Sequence, residues 1–398
     1  MKPFRQVRRY DLAQSGGSAV TVSEPASGLL AGVFAVECAD TPAAAFAAAI
    51  AADFGATVVI VEPPEGTPLR RLAPSAAQAP WWASLGRNKR SIAIDPGTED
   101  GASTLARLAE KADIVFRDTT SRAAPLAEAA RKAVDVELFP TGADRPDLWP
   151  WSTRTEFAGA ASGIGAITGP LGGLAVQPEM PLADYTAGMM ALMLAMGELR
   201  AARLAGVKPE PVRLALHEAL ARMNEWQVIV ATAFGRAEKR TGNRFPMNAN
   251  IGNIFTTRDG QMLSVSAATP AIARRLLTMV GGEALSADPR FATPAARAQH
   301  MDELEDLIGD WFARHDGEEA LRLVAENDVV VGPIYGAAEL MADPHVAARG
   351  NIVDVPADGG GCIAMPAALP RTSDGGADVR STGPTVGQDR DAVLAMLG

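Results

Sequence analysis

A run of β-branched residues, Thr57-Val58-Val59-Ile60-Val61-Glu62, stopped by Pro63-Pro64, is the strongest constraint on what this chain folds into. It reads as a strand, and two successive prolines end it because they cannot donate to a sheet ladder. A short apolar run over 32–37 precedes it, and the Ala-rich stretch over 42–53 between the two reads as a helix. Downstream, 91–95 and 113–116 read as further short strands separated by a helix over 98–112. Strand and helix alternating at this spacing predict an α/β fold built on a parallel, doubly wound sheet.

Length sets the next limit. At 398 residues the chain exceeds one simple core and predicts two lobes. A chain of this size buries about three-quarters of the surface it exposes when unfolded, so it needs no staples. Its two cysteines, Cys38 and Cys362, lie far apart among small apolar residues and read as buried thiols of a reducing compartment. The basic N-terminal residues run into Asp11, Gln14 and a Gly-Gly-Ser stretch, so no signal peptide is expected. The longest apolar stretch, 186–199, is too short for a membrane span, and a cytoplasmic protein is expected. A net charge of −10 argues against nucleic acid as a partner. A small anionic ligand stays open, because the run Arg87-Asn88-Lys89-Arg90 concentrates positive charge locally.

Residues 1–28 read as an irregular arm and 140–155, with Trp149 and Trp151, as a loop. A long helix is expected over 185–204, its stripe of Met189, Met190, Met193 and Met196 facing the core, and another helix over 216–240. The character then changes. Arg258-Asp259-Gly260-Gln261 between two apolar runs is a hairpin signal. Helices near 270–280, 302–314 and 317–326 follow and make this segment a smaller α+β lobe. After Pro344 come Gly/Pro-rich loops, short strands and a last helix over 389–397.

Few motifs carry chemistry. Gly163-Ile164-Gly165 with Gly169 has the wrong spacing for a dinucleotide fingerprint and reads as a close-packed turn. No Gly-Lys-Ser/Thr phosphate loop and no Gly-x-Ser-x-Gly elbow occurs. The four histidines, His217, His300, His315 and His345, share no ligand spacing, so no metal site is expected. The pair Trp81-Trp82 reads as core packing or as the wall of an acyl or adenine site. The basic run 87–90 is a solvated loop when read alone. At a strand edge of an α/β sheet, its arginines suit phosphate oxygens. Asp184 before the Met-rich helix is a good helix N-cap, and a carboxylate there is favoured as the anion a nucleophile needs.

Together these segments resemble the family III CoA-transferases from about Gly32 to Gly398. The most distinctive match is Ser84-Leu85-Gly86-Arg87-Asn88-Lys89-Arg90-Ser91-Ile92, with the strand and its Pro63-Pro64 as a second. Pro181-Leu182-Ala183-Asp184-Tyr185-Thr186 is similar to the segment carrying the family's catalytic aspartate. Arg240-Thr241-Gly242-Asn243, Asp288-Pro289-Arg290-Phe291 and Asp343-Pro344-His345-Val346 follow in family order.

The resemblance implies a Rossmann-like large domain, a smaller α+β domain and an interlocked homodimer, with a heteromer of unlike chains as the alternative. The implied boundaries are 1–215 for the first part of the large domain, 216–340 for the small domain with its linkers, and 341–398 for a segment returning to the large domain. It also implies that Asp184 is the nucleophile, that Leu85, Arg87, Lys89, Arg90 and Asp118 bind CoA, and that the substrates are an acyl-CoA and a carboxylic acid acceptor. No cofactor beyond the substrate thioester and no metal is implied.

The chain departs from the family pattern in its N-terminal third. Ala43-Ala44-Ala45 stands where an Ala-Gly-Pro turn is usual, Arg117-Asp118-Thr119 replaces Glu-Asn-Phe, and Phe139-Pro140-Thr141-Gly142 replaces Gly-Phe-Gly. Gly86 stands in place of an asparagine. Two competing readings follow: an accessory subunit on the same fold, or an α-methylacyl-CoA racemase. The racemase needs a histidine upstream of the aspartate, and none occurs before His217.

Overall fold

The computed structural model describes residues 28–74, 78–119, 123–140, 157–178, 180–244, 251–357, 361–371, 373 and 376–398. These divide into two compact units. The larger takes the chain up to Ile164, then Gln177–Arg236 and Pro344–Gly398; the smaller takes Gly165–Val176 and Ala237–Asp343. The segments 1–27 and 141–156, which hold the expected arm and the loop with Trp149 and Trp151, lie outside the described residues.

The larger unit is built on a six-stranded parallel sheet. Its first elements are β1 (Phe34–Cys38), α1 (Pro42–Asp53), β2 (Thr57–Glu62), α2 (Gln78–Leu85) and β3 (Arg90–Ala93). Then come α3 (Glu99–Lys111), β4 (Ile114–Asp118), α4 (Ala124–Ala129), β5 (Val134–Phe139), α5 (Leu182–Ala205) and β6 (Val212–Ala215). The strand order is β3-β2-β1-β4-β5-β6, a doubly wound arrangement whose order reverses between β1 and β4. Successive residues of a strand point to opposite faces, so each strand feeds two cores. Ala35, Val58, Ile114 and Val136 join one core, Val36, Val59 and Val115 the other. Burial on both faces is why these strands read as unbroken apolar runs. β5 was missing from the sequence reading: Asp135 and Glu137 interrupt it, and both carboxylates turn out to bind Arg117 of β4.

Helix α1 is the innermost of the helices. Ten of its residues are buried, most of them alanines, so it fits between the sheet and α5. The approach is closest at Gly188, where an added Cβ would stand 2.6 Å from the Ala43 carbonyl oxygen. Ala43-Ala44-Ala45 thus occupy the interior of a helix, and the turn that precedes them is Ala39-Asp40-Thr41.

α5 begins three residues earlier than the sequence suggests, at Leu182, with Pro181 as its cap residue; Asp184 therefore sits in the first turn. Its Met stripe divides. Met190 and Met196 pack on the core, whereas Met189 and Met193 are exposed. The helix expected over 216–240 is two helices, α6 (Leu216–Met223) and α7 (Glu225–Phe234), broken at Asn224. Both count with the larger unit, so the division falls after Arg236 and not after residue 215. Cys38 is buried as expected, but Cys362 is exposed; both are free thiols.

The smaller unit carries the predicted hairpin. β7 (Ile251–Thr256) and β8 (Met262–Ala267) pair antiparallel, and β9 (Val330–Pro333) adds to β8. β8 alternates exposed and buried residues, as a sheet with one covered face requires. α8 (Pro270–Ser286), α9 (Met301–Ala313) and α10 (Gly317–Glu326) contribute to its separate core.

The C-terminal segment contains the antiparallel pair β10 (Ile352–Pro356) and β11 (Cys362–Pro366) and ends in α11 (Arg390–Leu397). It is fastened to the N-terminal half by polar contacts. The Asn88 amide donates to the Asp378 carbonyl and accepts from the Arg380 N–H, and Asp389 accepts from the Ser91 N–H at 2.8 Å. Trp82 donates to the Pro384 carbonyl, and its ring packs where a Cβ on Gly86 or Gly383 would stand. The glycine at 86 and the tryptophan at 82 are thus one packing solution.

The α1–α5 contact yields a test. Gly188→Val forces the two helices apart and should lower the unfolding free energy by about 1–3 kcal/mol, read from urea denaturation. Wild-type stability in this variant would show that α5 is free to slide.

Candidate active site

Asp184 is buried, 4% exposed, yet it lines a cleft of about 560 Å³ in the larger unit. Pockets for small molecules occupy about 300–1,000 Å³, so the cleft is large enough for the reactive end of a ligand. The Pro181 cap provides no side-chain acceptor. The partial positive charge of the helix N-terminus therefore favours the ionised carboxylate, typically by about 0.3–1 kcal/mol. The opposite walls are apolar: Leu72 and Pro74 follow a short 3₁₀ turn at Pro68–Arg71, and Trp81 comes from α2. Ile164, Leu182 and Leu220 complete them.

Beside Asp184 a polar-aromatic stack closes one flank. The Tyr185 ring lies on Phe46 with centroids 4.1 Å apart, and the Arg87 guanidinium is 5.9 Å from the Phe46 ring. Burial pushes the Tyr185 phenol above its ordinary value; Arg87 opposes the shift and the charge of Asp184 adds to it. Phe46 is the lone aromatic residue in the alanine-rich α1. That interruption was the signal in the sequence that could have located this flank.

The residues implied to bind CoA lie outside the cleft. None is among the residues lining the cleft. Lys89 is completely enclosed: its ammonium donates to Glu37 of β1 at 2.5 Å and to the Ala45 carbonyl of α1 at 2.7 Å. Burial pulls this lysine below its ordinary pKa, and Glu37 resists the shift. It joins three elements and leaves no exposed atom for a ligand. Leu85 is equally enclosed, packed with Ala45, Ile60 and Leu69. Arg90 is 9% exposed and near Asp389.

Arg87 retains some surface. It binds Asp53 through two nitrogens, the shorter contact 2.8 Å, and donates to the Ser84 carbonyl. Desolvation pushes the Asp53 carboxyl up against the pull of Arg87 and Asn88. The basic run is therefore neither solvated nor a free cluster of cations.

Asp118, at the end of β4, accepts from the N–H groups of Asp40 and Thr41 at 2.6 and 3.0 Å. It thereby fixes the turn leading into α1 at the point where the strand order reverses. A doubly wound sheet commonly receives a ligand phosphate at such a point. Here the protein's own carboxylate stands at the first βα turn. Among the described residues, no cluster of His, Cys, Asp and Glu is arranged to hold a metal ion, and no helix is long and apolar enough to cross a membrane.

The sequence model of CoA-transferase family III matches residues 30–128 and 153–390. The chain belongs to that family. It is therefore an enzyme of the CoA-transferase class. It is 32% identical over 364 residues to the succinyl-CoA–D-citramalate CoA-transferase of Chloroflexus aurantiacus, covering 89% of this chain and 90% of that protein. It is 28% identical to the β subunit of the succinyl-CoA–L-malate CoA-transferase of the same organism, covering 92% and 93%. A CaiB/BaiF family protein from Brucella suis superimposes with a TM-score of 0.82 at 25% identity, covering 94% of this chain and 100% of that one. The comparison supports the α/β architecture with its parallel six-stranded sheet.

The enclosed ion pair of this family III chain gives a second test. Lys89→Met takes the ammonium away from the fully buried Glu37 and should cost about 3–5 kcal/mol in unfolding free energy. Adding Glu37→Leu should restore most of it in a double-mutant cycle. Additive losses would mean that the two side chains do not interact.

Proposed function

We propose that this enzyme moves CoA from an acyl-CoA thioester to a free carboxylic acid, with Asp184 as the nucleophile. The observation that carries the reading is the Asp184 carboxylate, held at the N-terminus of α5 and opening onto the apolar cleft.

A carboxylate oxygen of Asp184 attacks the thioester carbonyl, the C–S bond breaks, and CoA leaves as the thiolate with a mixed anhydride on the enzyme. The thiolate then attacks the Asp184 carbonyl of the anhydride, releasing the donor acid as its carboxylate and leaving an aspartyl-CoA thioester. The acceptor carboxylate attacks that thioester and expels the thiolate. The returning thiolate takes the acceptor acyl group and frees Asp184. Every bond broken is matched by one formed, and no redox partner is needed. Two successive exchanges through one covalent partner replace a direct exchange between two unreactive carboxylates. Each tetrahedral oxyanion needs a donor in place, and Gln177 brings an amide to the same cleft. Arg87 is the member of the basic run with surface left for a CoA phosphate.

The proposal extends to assembly as an interlocked homodimer around a Rossmann-like large domain. Exposed apolar side chains cluster on α5 to α7, among them Met193, Leu204, Met223, Val228 and Phe234, and a second copy would remove them from water. Sedimentation equilibrium should return twice the chain mass; a monomer at micromolar concentration excludes this arrangement.

Intact mass spectrometry after incubation with a panel of acyl-CoAs and quenching with hydroxylamine should find the modification on Asp184. Asp184→Asn should lower kcat by about three orders of magnitude or more and leave the unfolding midpoint in place. Full turnover in that variant would end the mechanism.

A further inference from the structure

The two adjacent tryptophans of α2 differ in one respect. Trp82 donates its indole N–H to the Pro384 carbonyl at 2.8 Å and carries the Arg70 guanidinium 3.9 Å from its ring centre. The Trp81 nitrogen is shielded from solvent and makes no hydrogen bond to any described residue. Its ring is half-buried and lines the same cleft as Asp184. It packs against the buried cluster that contains Leu69 and Leu85, as do Phe46 and the Tyr185 next to Asp184. Buried donors in folded proteins are nearly always satisfied, so one left without an acceptor on the wall of a ligand-sized cleft needs a reason. Packing supplies none, because a phenylalanine would cover such a wall with no donor to satisfy.

We propose that the Trp81 indole N–H donates to the carbonyl oxygen of the acyl group that reacts with Asp184. This rests on the reading of Asp184 as the nucleophile. The first and last of the four attacks fall on the acyl carbon of the substrate, so this oxygen is present with every donor and every acceptor acid. It gains negative charge as the attacking group adds, and the hydrogen bond strengthens toward the transition state. An indole suits the task. It is a donor only, and it carries no charge that would bind the Asp184 carboxylate as an ion pair and hold it back from attack.

Burial of the nitrogen explains why the contact forms with the ligand and not before it. Turning the N–H edge toward an empty cleft would uncover ring surface now packed on the cluster. A bound acyl group covers that surface again and offers the acceptor that the protein does not. Trp81 then acts as a second donor beside Gln177, which reaches the cleft from a different segment.

The test uses succinyl-CoA and two unreactive analogues: the ketone in which a methylene replaces the thioester sulfur, and the carboxypropyl thioether of CoA, which lacks the carbonyl oxygen. By calorimetry the wild type should bind the ketone at least about threefold more tightly than the thioether. Trp81→Phe keeps a ring on the wall and removes the donor. It should weaken the ketone about three- to tenfold relative to the thioether, and slow hydroxylamine-trapped labelling of Asp184 by succinyl-CoA about tenfold or more. One measurement needs no variant. Of the six indole N–H signals of the wild type, one should move downfield in a proton–nitrogen correlation spectrum with the ketone and stay in place with the thioether. Equal weakening of both analogues by Trp81→Phe assigns the residue to packing and overturns the inference. So does a wild type that does not prefer the ketone, or an indole spectrum that responds alike to both. Any of these results alongside labelled Asp184 leaves the covalent mechanism standing. A loss specific to the ketone with Asp184 never labelled keeps the contact and removes the mechanism.

Discussion

The contact on which the rest of the larger unit depends is the crossing of α5 over α1 at Gly188. The two helices meet backbone to backbone, because α1 is almost entirely alanine and α5 has no side chain at the crossing. Residues four apart on a helix share a face, so Asp184 lies one turn above the crossing, on the same side as Gly188. The depth of the cleft floor is thus set by how closely two helices can approach. Larger residues in α1 would lift the Asp184 carboxylate away from the walls that surround it.

The enclosed Lys89 acts on the same geometry from the other side. It ties β1 to α1 through Glu37 and the Ala45 carbonyl, just ahead of β3. Asn88, in a left-handed conformation at φ 60°, and Arg87 precede it and bind Asp53 at the end of α1. One short run of polar residues therefore anchors both ends of α1's second half. Its residue types suit phosphate recognition, and in this fold most of that capacity is spent internally.

Much of the architecture was legible in the sequence because it follows from periodicity. The strands with unbroken β-branched runs, the helix over Glu99–Lys111 with its Thr98 cap, and the hairpin around Asp259-Gly260 were all recoverable. β5 was lost because its paired carboxylates look like surface residues until Arg117 is placed between them. The family was readable from motif order. The roles of Lys89, Leu85 and Asp118 were not, since residue type alone does not tell an enclosed cation or carboxylate from one that meets a ligand. Burial is a tertiary property, and those residues find their partners at long range: Glu37 is 52 positions from Lys89, and Asp40 is 78 from Asp118.

The fastening of the C-terminal segment carries a consequence for how the polypeptide acquires its form. Asn88 and the Asp378 carbonyl are separated by 290 positions, and between them lies the whole of the smaller unit with its own core. Bonds closed over so long a loop form late, because the entropy of bringing distant segments together must be met before any contact rewards it. During synthesis the inserted unit emerges complete while its host still lacks the strip that covers Trp82 and Asn88. The order of folding is then the reverse of the order of the chain's beginnings: the later, smaller body can be finished while the earlier, larger one waits for the segment that follows it.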